Sequence, residues 1–242
     1  MAIHAEAATA GEHGHHGHEA LAHHFDNLEQ QREATALGMW VFIAQEVMFF
    51  GGLFLVYLVY RMKYPEAFAA ASNHLNWKLG TFNTAVLIGS SLTMALAVWA
   101  TQVGRSRKVQ VAFMAATLLL GSVFLGVKAV EYTTKYHDGL IPFAGMFHPT
   151  GEVHFPATVS IKNIQMFYWI YFAMTGLHAL HMIIGIGILL PIMWAAWRGR
   201  YSPEYHAPVE LFGLYWHFVD IIWIFLFPLL YLLGAHYGSG GH

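Results

Sequence analysis

The chain has 242 residues, of which 57% are hydrophobic and 11% charged, whereas an average soluble domain carries about 25% charged residues. Its apolar residues are gathered into runs of about twenty, the length that a helix needs to cross the hydrocarbon core of a bilayer. The net charge of -2 and the scattered Lys and Arg residues exclude an extended surface for nucleic acid. The lack of cysteine excludes disulfides, thiolate metal sites and thiol nucleophiles. Composition therefore predicts an all-α integral membrane protein.

The amino-terminal segment, residues 1–31, differs in composition from the rest. It is rich in His and Ala and holds seven of the seventeen histidines. No apolar run follows a basic start, so we expect that this segment is not a cleaved signal and that it forms a solvated tail. The chain is thus predicted to divide into a polar tail, 1–31, and a transmembrane domain, 32–242.

Uninterrupted apolar stretches predict five transmembrane helices. The expected spans are 34–60, 79–101, 109–132, 164–195 and 209–234. An odd number of spans places the two ends of the chain on opposite sides of the membrane. With the amino end inside, the inner segments hold six Lys and Arg residues and the outer segments five, a small excess that favours a cytoplasmic amino end. The connector 133–163 is long enough to cover the bundle as an ordered cap.

Aromatic residues near the predicted span ends indicate interfacial belts, because amphipathic rings favour the headgroup region. These residues are Trp40, Tyr57, Tyr60, Trp77, Trp99, Tyr132, Trp194, Trp197, Tyr215 and Trp216.

Ionisable residues inside the apolar runs need an explanation, since a charge near the bilayer centre is costly. They are Glu46 in the first span, Lys128 and Glu131 in the third, His178 and His181 in the fourth, and His217 and Asp220 in the fifth. The spacing of three residues places each histidine pair or His/Asp pair on one helix face. A haem site would draw axial histidines from facing helices, whereas interhelical hydrogen bonding needs only nearby partners. We expect His217 and Asp220 to pack near the fourth span or Glu131.

Glu46 admits three roles: a buried neutral acid, an acid paired with a neighbouring helix, or a proton-carrying group. A proton wire would need further polar groups along one line, and the first two spans offer only Gln45, Asn83, Thr84 and Thr93. We therefore expect Glu46 to be protonated or hydrogen-bonded within the bundle. The chain has no nucleotide-binding glycine loop, dinucleotide fingerprint or Ser/His/Asp arrangement of a soluble enzyme.

Five segments, one in each span and in the same order, resemble subunit III of the haem-copper respiratory oxidases. The strongest likeness is to the last helix of that family, at residues 215–227 (YWHFVDIIWIFLF). Residues 175–185 (TGLHALHMIIG) resemble its preceding helix, and residues 45–50 (QEVMFF) resemble the segment with its membrane-embedded glutamate. Residues 82–84 (FNT) and 130–132 (VEY) are similar to its intervening helices.

The resemblance implies a bundle without haem or copper of its own in a hetero-oligomeric complex that reduces oxygen and pumps protons. Subunit I, the main contact, and subunit II would carry the haem and copper, and phospholipid would bind this chain. Glu46 matches the family's carbodiimide-reactive acid. Its recurring polar positions are matched by Glu131, His178, His181, Glu210, Trp216, His217 and Asp220. The implied location is the bacterial inner membrane, with the amino end cytoplasmic and the carboxyl end periplasmic.

The chain departs from the long members of the family, which have seven helices, because it begins at what resembles their third helix. Shorter five-helix members occur in bacteria, including among quinol oxidases. The electron donor, cytochrome c or quinol, and the closed lipid site therefore stay open. Two functions of other classes are a haem-bearing membrane anchor of a dehydrogenase or reductase and a small transporter. Inverted repeats or broken helices would indicate the transporter, and the sequence has neither.

The histidine-rich tail suggests a surface proton collector on the side of proton uptake, because imidazole exchanges protons readily near neutral pH. Its candidate residues are His13, His15, His16, His18, His23 and His24. The alternative is a solvated tail with adventitious affinity for Zn, Ni or Cu.

We predict that deleting residues 2–24 lowers turnover most at high pH, where bulk protons are scarce. Turnover of the oxidase in proteoliposomes, measured from about pH 6.5 to about pH 9, checks this. If the truncated and intact enzymes lose turnover in parallel across that range, the tail is no collector.

Overall fold

The computed structural model describes residues 28–143, 145–150 and 153–232. The tail histidines lie outside the described residues, as does the end of the last predicted span. The chain divides into two compact units, Met1–Phe42 and Ile43–His242. The described part of the first unit is the amino-terminal half of one helix, and the second unit contains the helix bundle.

The described residues form helices without any β-strand. The α-helices are α1 (Leu28–Lys63), α2 (Pro65–Asn73), α3 (Trp77–Gln102), α4 (Arg107–His137), α5 (Ile161–Trp197) and α6 (Ala207–Phe227). A π-helical turn, Pro228–Leu232, continues α6.

Five of these helices are long and apolar enough to cross a membrane by length and composition, so the predicted class and the five spans are confirmed. Each helix begins before its predicted span. The first begins at Leu28, six residues earlier than expected and inside the segment assigned to the tail. The helices are longer than their apolar runs because Lys, Arg and polar residues at the ends can extend towards the headgroup region while the backbone stays helical.

The short helix α2 was not predicted, because no helix was expected between the first span, 34–60, and the second, 79–101. Pro65 occupies its first turn, where its missing N–H leaves no hydrogen bond unmade. Phe68 and Ala71 on one face are fully buried. The signal was a small apolar stripe within nine residues, too short to separate from a loop by periodicity.

The connector between α4 and α5 folds back on the bundle through its described residues. Gly139 ends α4 with a φ of 69°, and a Cβ there would collide with the carbonyl oxygen of His148. The N–H of His148 donates to the carbonyl of Gly139 at 3.0 Å, and Gln165 on α5 donates to the carbonyl of Pro142 at 3.0 Å. The connector thus packs on the first turns of α5, as the predicted cap requires.

Trp216 lies at the centre of the α4, α5 and α6 packing and is fully buried. Its ring lies between Gly121 of α4 and Gly185 of α5, where added Cβ atoms would lie 2.9 Å and 3.0 Å from it. The assignment of Trp216 to an interfacial belt was therefore wrong, and the same applies to the buried Tyr57 and Tyr215. Hydrophobic periodicity cannot separate an aromatic residue at a span end from one in the core.

We predict that Gly185→Ala destabilises the bundle, because the buried Trp216 ring has no space into which it could move. Gly187→Ala on the same helix is the matched control, since nothing lies within 4 Å of its added Cβ. Overpacking of this kind costs about 1–3 kcal/mol. Thermal unfolding of the two variants in detergent would contradict the prediction if Gly185→Ala were as stable as Gly187→Ala.

Candidate functional site: buried polar clusters

Lys128 and Glu131 of α4 form an ion pair inside the bundle. Lys128 Nζ lies 2.7 Å from Glu131 Oε2, and the two residues are 2% and 5% exposed. Tyr171 of α5 donates to Glu131 Oε1 at 2.9 Å, and Tyr231 of the π-helical turn donates to the same oxygen at 2.5 Å. Both carboxylate oxygens of Glu131 are therefore satisfied.

The ammonium group of Lys128 is enclosed by aromatic rings as well. Its Nζ donates to the Tyr231 hydroxyl at 2.8 Å, and the centroid of the Trp223 ring lies 4.8 Å away. Tyr132 and Tyr171 also lie within cation–π distance. We call Lys128, Glu131, Tyr171 and Tyr231 the lysine cluster.

The lysine cluster joins the end of α6 to the rest of the bundle. A π-helical turn leaves carbonyl groups without regular α-helical donors, and two hydroxyl groups satisfy them here. Tyr57 of α1 donates to the carbonyl of Leu229, and Ser72 of α2 donates to the carbonyl of Leu230 at 2.6 Å. The π-helical turn is thus hydrogen-bonded to α1, α2 and α4.

A second lysine at the same end of α4 is also bonded internally. Lys135 Nζ donates to the carbonyl of His74 at 2.7 Å and lies 3.6 Å from Asp138. Burial lowers the pKa of His74, which follows α2 and contacts the ring of Phe155. The imidazole of His74, whose carbonyl accepts from Lys135, is therefore neutral at neutral pH.

Glu46 of α1 faces His181 of α5 near the middle of both spans. Glu46 Oε2 lies 3.2 Å from His181 Nε2, an ion-pair distance, although the angles are not those of a hydrogen bond. His181 Nδ1 lies 2.8 Å from the carbonyl oxygen of Leu177, which can only accept, so Nδ1 carries a hydrogen. Of the three roles named for Glu46, this contact corresponds to an acid paired with a neighbouring helix.

His178 lies one turn away on α5 but does not join this pair. It is fully buried, its ring packs on Phe124 at 5.4 Å and on Trp223 at 5.2 Å between centroids, and neither nitrogen has a hydrogen-bond partner. The two histidines that share the predicted helix face thus have separate surroundings.

His217 and Asp220 lie against α3, so the expectation that they pack near the fourth span or Glu131 was wrong. The Ser91 hydroxyl lies 2.7 Å from His217 Nδ1. Neither carboxyl oxygen of Asp220 has a hydrogen bond of standard geometry, although Ser91 interacts with it. The spacing of three residues correctly predicted that His217 and Asp220 lie on one face of α6. A single sequence does not show which neighbouring helix packs against that face.

Glu210, the remaining predicted polar position, lies in the first turn of α6. It forms a pair with His206 at 3.6 Å, and its side chain is 49% exposed. Among the described residues, no group of three or more His, Asp or Glu side chains is arranged to hold a metal ion.

Several residues of the clusters were not singled out from the sequence. They are the hydroxyl residues Ser72, Ser91, Tyr171 and Tyr231, and Tyr57 was named only as an aromatic residue near a span end. The available signal was their position inside apolar runs, where a hydroxyl group needs a partner. That signal does not distinguish a bond to the same helix from a bond to another helix.

We predict that Glu131→Ala lowers the free energy of unfolding by about 3–5 kcal/mol, because it leaves the Lys128 charge buried without its counter-ion. The double variant Lys128→Met, Glu131→Leu removes both charges and is expected to recover most of this loss. Thermal unfolding in detergent measures both. Equal stability of the single and double variants would show that the pair has no such role.

Comparison with known proteins supports the resemblance seen in the sequence. Residues 18–235 match the model of the family described as cytochrome c oxidase subunit III. A cytochrome c oxidase subunit 3 of Thermostichus vulcanus is 32% identical over 212 residues, which cover 86% of this chain and 92% of that protein. A protein of the same name from Synechocystis sp. is 32% identical over 227 residues, covering 93% and 82%.

A relative that is named as a quinol oxidase subunit is also similar to this chain. A probable quinol oxidase subunit 3 of Staphylococcus aureus is 28% identical over 215 residues, covering 88% of this chain and 96% of that protein. The match extends over all five membrane-spanning helices and their buried polar clusters. The chain therefore belongs to the cytochrome c oxidase subunit III family, as a multi-pass membrane subunit of a hetero-oligomeric haem-copper oxidase.

Proposed function

We propose that this chain is a supporting subunit of a cytochrome c oxidase that packs against subunit I, lies in one complex with subunit II, and carries no haem or copper. Its role is to stabilise subunit I and to keep proton uptake fast. The observation that carries this proposal is the pairing of its buried charges. Lys128 and Glu131 neutralise each other, and Glu46 faces His181. Groups used in this way stabilise a bundle and leave electron and proton transfer to the partner subunits.

The surroundings of the two α5 histidines favour this role over that of a haem-bearing anchor. A porphyrin on His178 would have to displace the packed rings of Phe124 and Trp223. The two ring nitrogens of His181 face Leu177 and Glu46. The visible absorption spectrum of the isolated chain separates the two functions, because a stoichiometric Soret band lost in His178→Ala or His181→Ala would overturn the proposal.

The distribution of the polar clusters supports a role outside the proton path. The Glu46–His181 pair lies near mid-span, and the lysine cluster lies near the ends of α4 and α6. His178, which packs on the rings of Phe124 and Trp223 beside the lysine cluster, has no hydrogen-bond partner on either ring nitrogen. A proton path needs hydrogen-bonded, proton-exchanging groups that follow one another without a gap across the membrane.

The location and the remaining ligands follow from the same proposal. The chain would lie in a bacterial inner membrane with its amino end in the cytoplasm and its carboxyl end in the periplasm. Phospholipid would cover apolar side chains that the described helices expose away from other subunits, such as Leu119 and Leu180. The donor would be cytochrome c, because the relatives with that name are 32% identical and the quinol oxidase relative is 28% identical.

We predict that Glu46→Gln leaves the proton-to-electron stoichiometry of the purified oxidase near normal. The amide has nearly the same shape as the carboxyl and can donate or accept a hydrogen bond, so it can keep the contact between α1 and α5 without a titrating group at position 46. Proton release from reconstituted vesicles during oxygen reduction measures the stoichiometry, with Glu210→Gln as the matched acid-to-amide control. Lost pumping with intact electron transfer in Glu46→Gln alone would place Glu46 in the proton path.

A further inference from the structure

A notch opens between α3 and α6 on the outside of the bundle. Its volume is about 350 Å³, roughly ten times the share of one water molecule in the liquid. Its rim is made of exposed apolar side chains, among them Leu92 at 61% and Ile221 at 49% exposure. Its polar residues are Ser91, His217 and Asp220. We call this the α3/α6 notch.

The carboxyl group of Asp220 in the notch lacks well-formed hydrogen bonds within the described residues. Asp220 is 3% exposed, and both of its carboxyl oxygens lack a hydrogen bond of standard geometry. The Ser91 hydroxyl, which interacts with Asp220, also lies 2.7 Å from His217 Nδ1, where the histidine tautomer decides which group donates. The contrast with the lysine cluster is clear, because there each oxygen of Glu131 has a donor from this chain.

The depth of the notch restricts what can supply the missing donor. Asp220 is the fourteenth residue of the 26-residue span Ala207–Leu232, so it lies near the middle of that helix. At about 1.5 Å per residue, either end of the helix is about 20 Å away along its axis. Lipid headgroups lie at those ends, and acyl chains have no N–H or O–H group. A donor at this depth must therefore come from protein or from a trapped water.

We propose that the α3/α6 notch receives a hydrogen-bond-donating side chain from a transmembrane helix of another subunit of the oxidase. This inference rests on the proposed function and adds to it the contact surface and its chemistry. An amide, hydroxyl or cationic side chain would donate to Asp220, while apolar residues on the same partner helix would cover the rim at Leu92 and Ile221. The carboxyl group of Asp220 and the donor are complementary, and the volume admits a side chain instead of a single water.

Photo-crosslinking in the intact oxidase tests the surface. A photoreactive amino acid replaces Leu92 at the rim, and the matched control replaces Leu119, which is 64% exposed on α4. We expect a crosslink from position 92 to another oxidase subunit at a clearly higher yield than from position 119. A crosslink to lipid alone from position 92, or equal yields from both positions, would overturn the inference while the chain still purifies with the oxidase. Failure to purify with any oxidase subunit would instead overturn the proposed function.

Two substitutions at Asp220 test whether its carboxyl group accepts a hydrogen bond from another subunit. Asp220→Leu removes both acceptors, whereas Asp220→Asn keeps the shape and one acceptor. We expect Asp220→Leu to weaken retention of the chain on an oxidase purified through a tag on another subunit by about three- to twentyfold, the range for one membrane hydrogen bond, with a smaller loss for Asp220→Asn. The unfolding temperature of the isolated Asp220→Leu chain should be unchanged or higher, because neither carboxyl oxygen has a hydrogen bond of standard geometry within the described residues.

The pairing of these two measurements separates an intermolecular role from an internal one. A lower unfolding temperature of the isolated Asp220→Leu chain with unchanged retention would assign the carboxyl to internal packing or to a trapped water. Unchanged retention of Asp220→Leu with unchanged stability would equally overturn the inference.

Discussion

The lysine ammonium buried inside the bundle, near the ends of α4 and α6, is the constraint on which the surrounding structure depends. Lys128 cannot reach water from a position that is 2% exposed, and the bilayer offers no substitute for it. The chain must therefore supply a counter-ion from α4, hydroxyl groups from α5 and the π-helical turn, and four aromatic rings. Since these groups come from three elements, α4, α5 and the end of α6 have only one arrangement that satisfies the charge.

The same constraint explains why the last helix changes its geometry where it does. Pro228 removes a backbone donor, and the helix continues as a π-helical turn. This brings the Tyr231 hydroxyl onto Glu131 and leaves carbonyl groups for Tyr57 and Ser72. The turn would be costly in a lipid-facing helix, because its carbonyl groups would lack partners there. It is stable here because α1 and α2 donate to it.

Composition and the length of the apolar runs were sufficient to predict the five spans, because the thickness of the hydrocarbon core imposes one requirement on every helix. The spacing of His217 and Asp220 gave their common face for a similar reason. Their partner Ser91, the location of Trp216 between two glycines, and helix α2 could not be predicted. Each depends on which helices are neighbours, and that choice is made by long-range packing that no local pattern records.

The two kinds of polar cluster in the bundle have opposite consequences for assembly. A cluster closed within the chain, such as that of Lys128, stabilises the isolated subunit and gives nothing to a partner. A mid-membrane carboxyl whose oxygens lack hydrogen bonds of standard geometry, such as that of Asp220, destabilises the isolated subunit, because its desolvation is only partly compensated. Association that supplies the missing donor removes this penalty at one place and in one orientation only. An unsatisfied acid on an otherwise apolar surface therefore favours the correct partner helix over lipid and over other helices, at some expense in the stability of the free subunit.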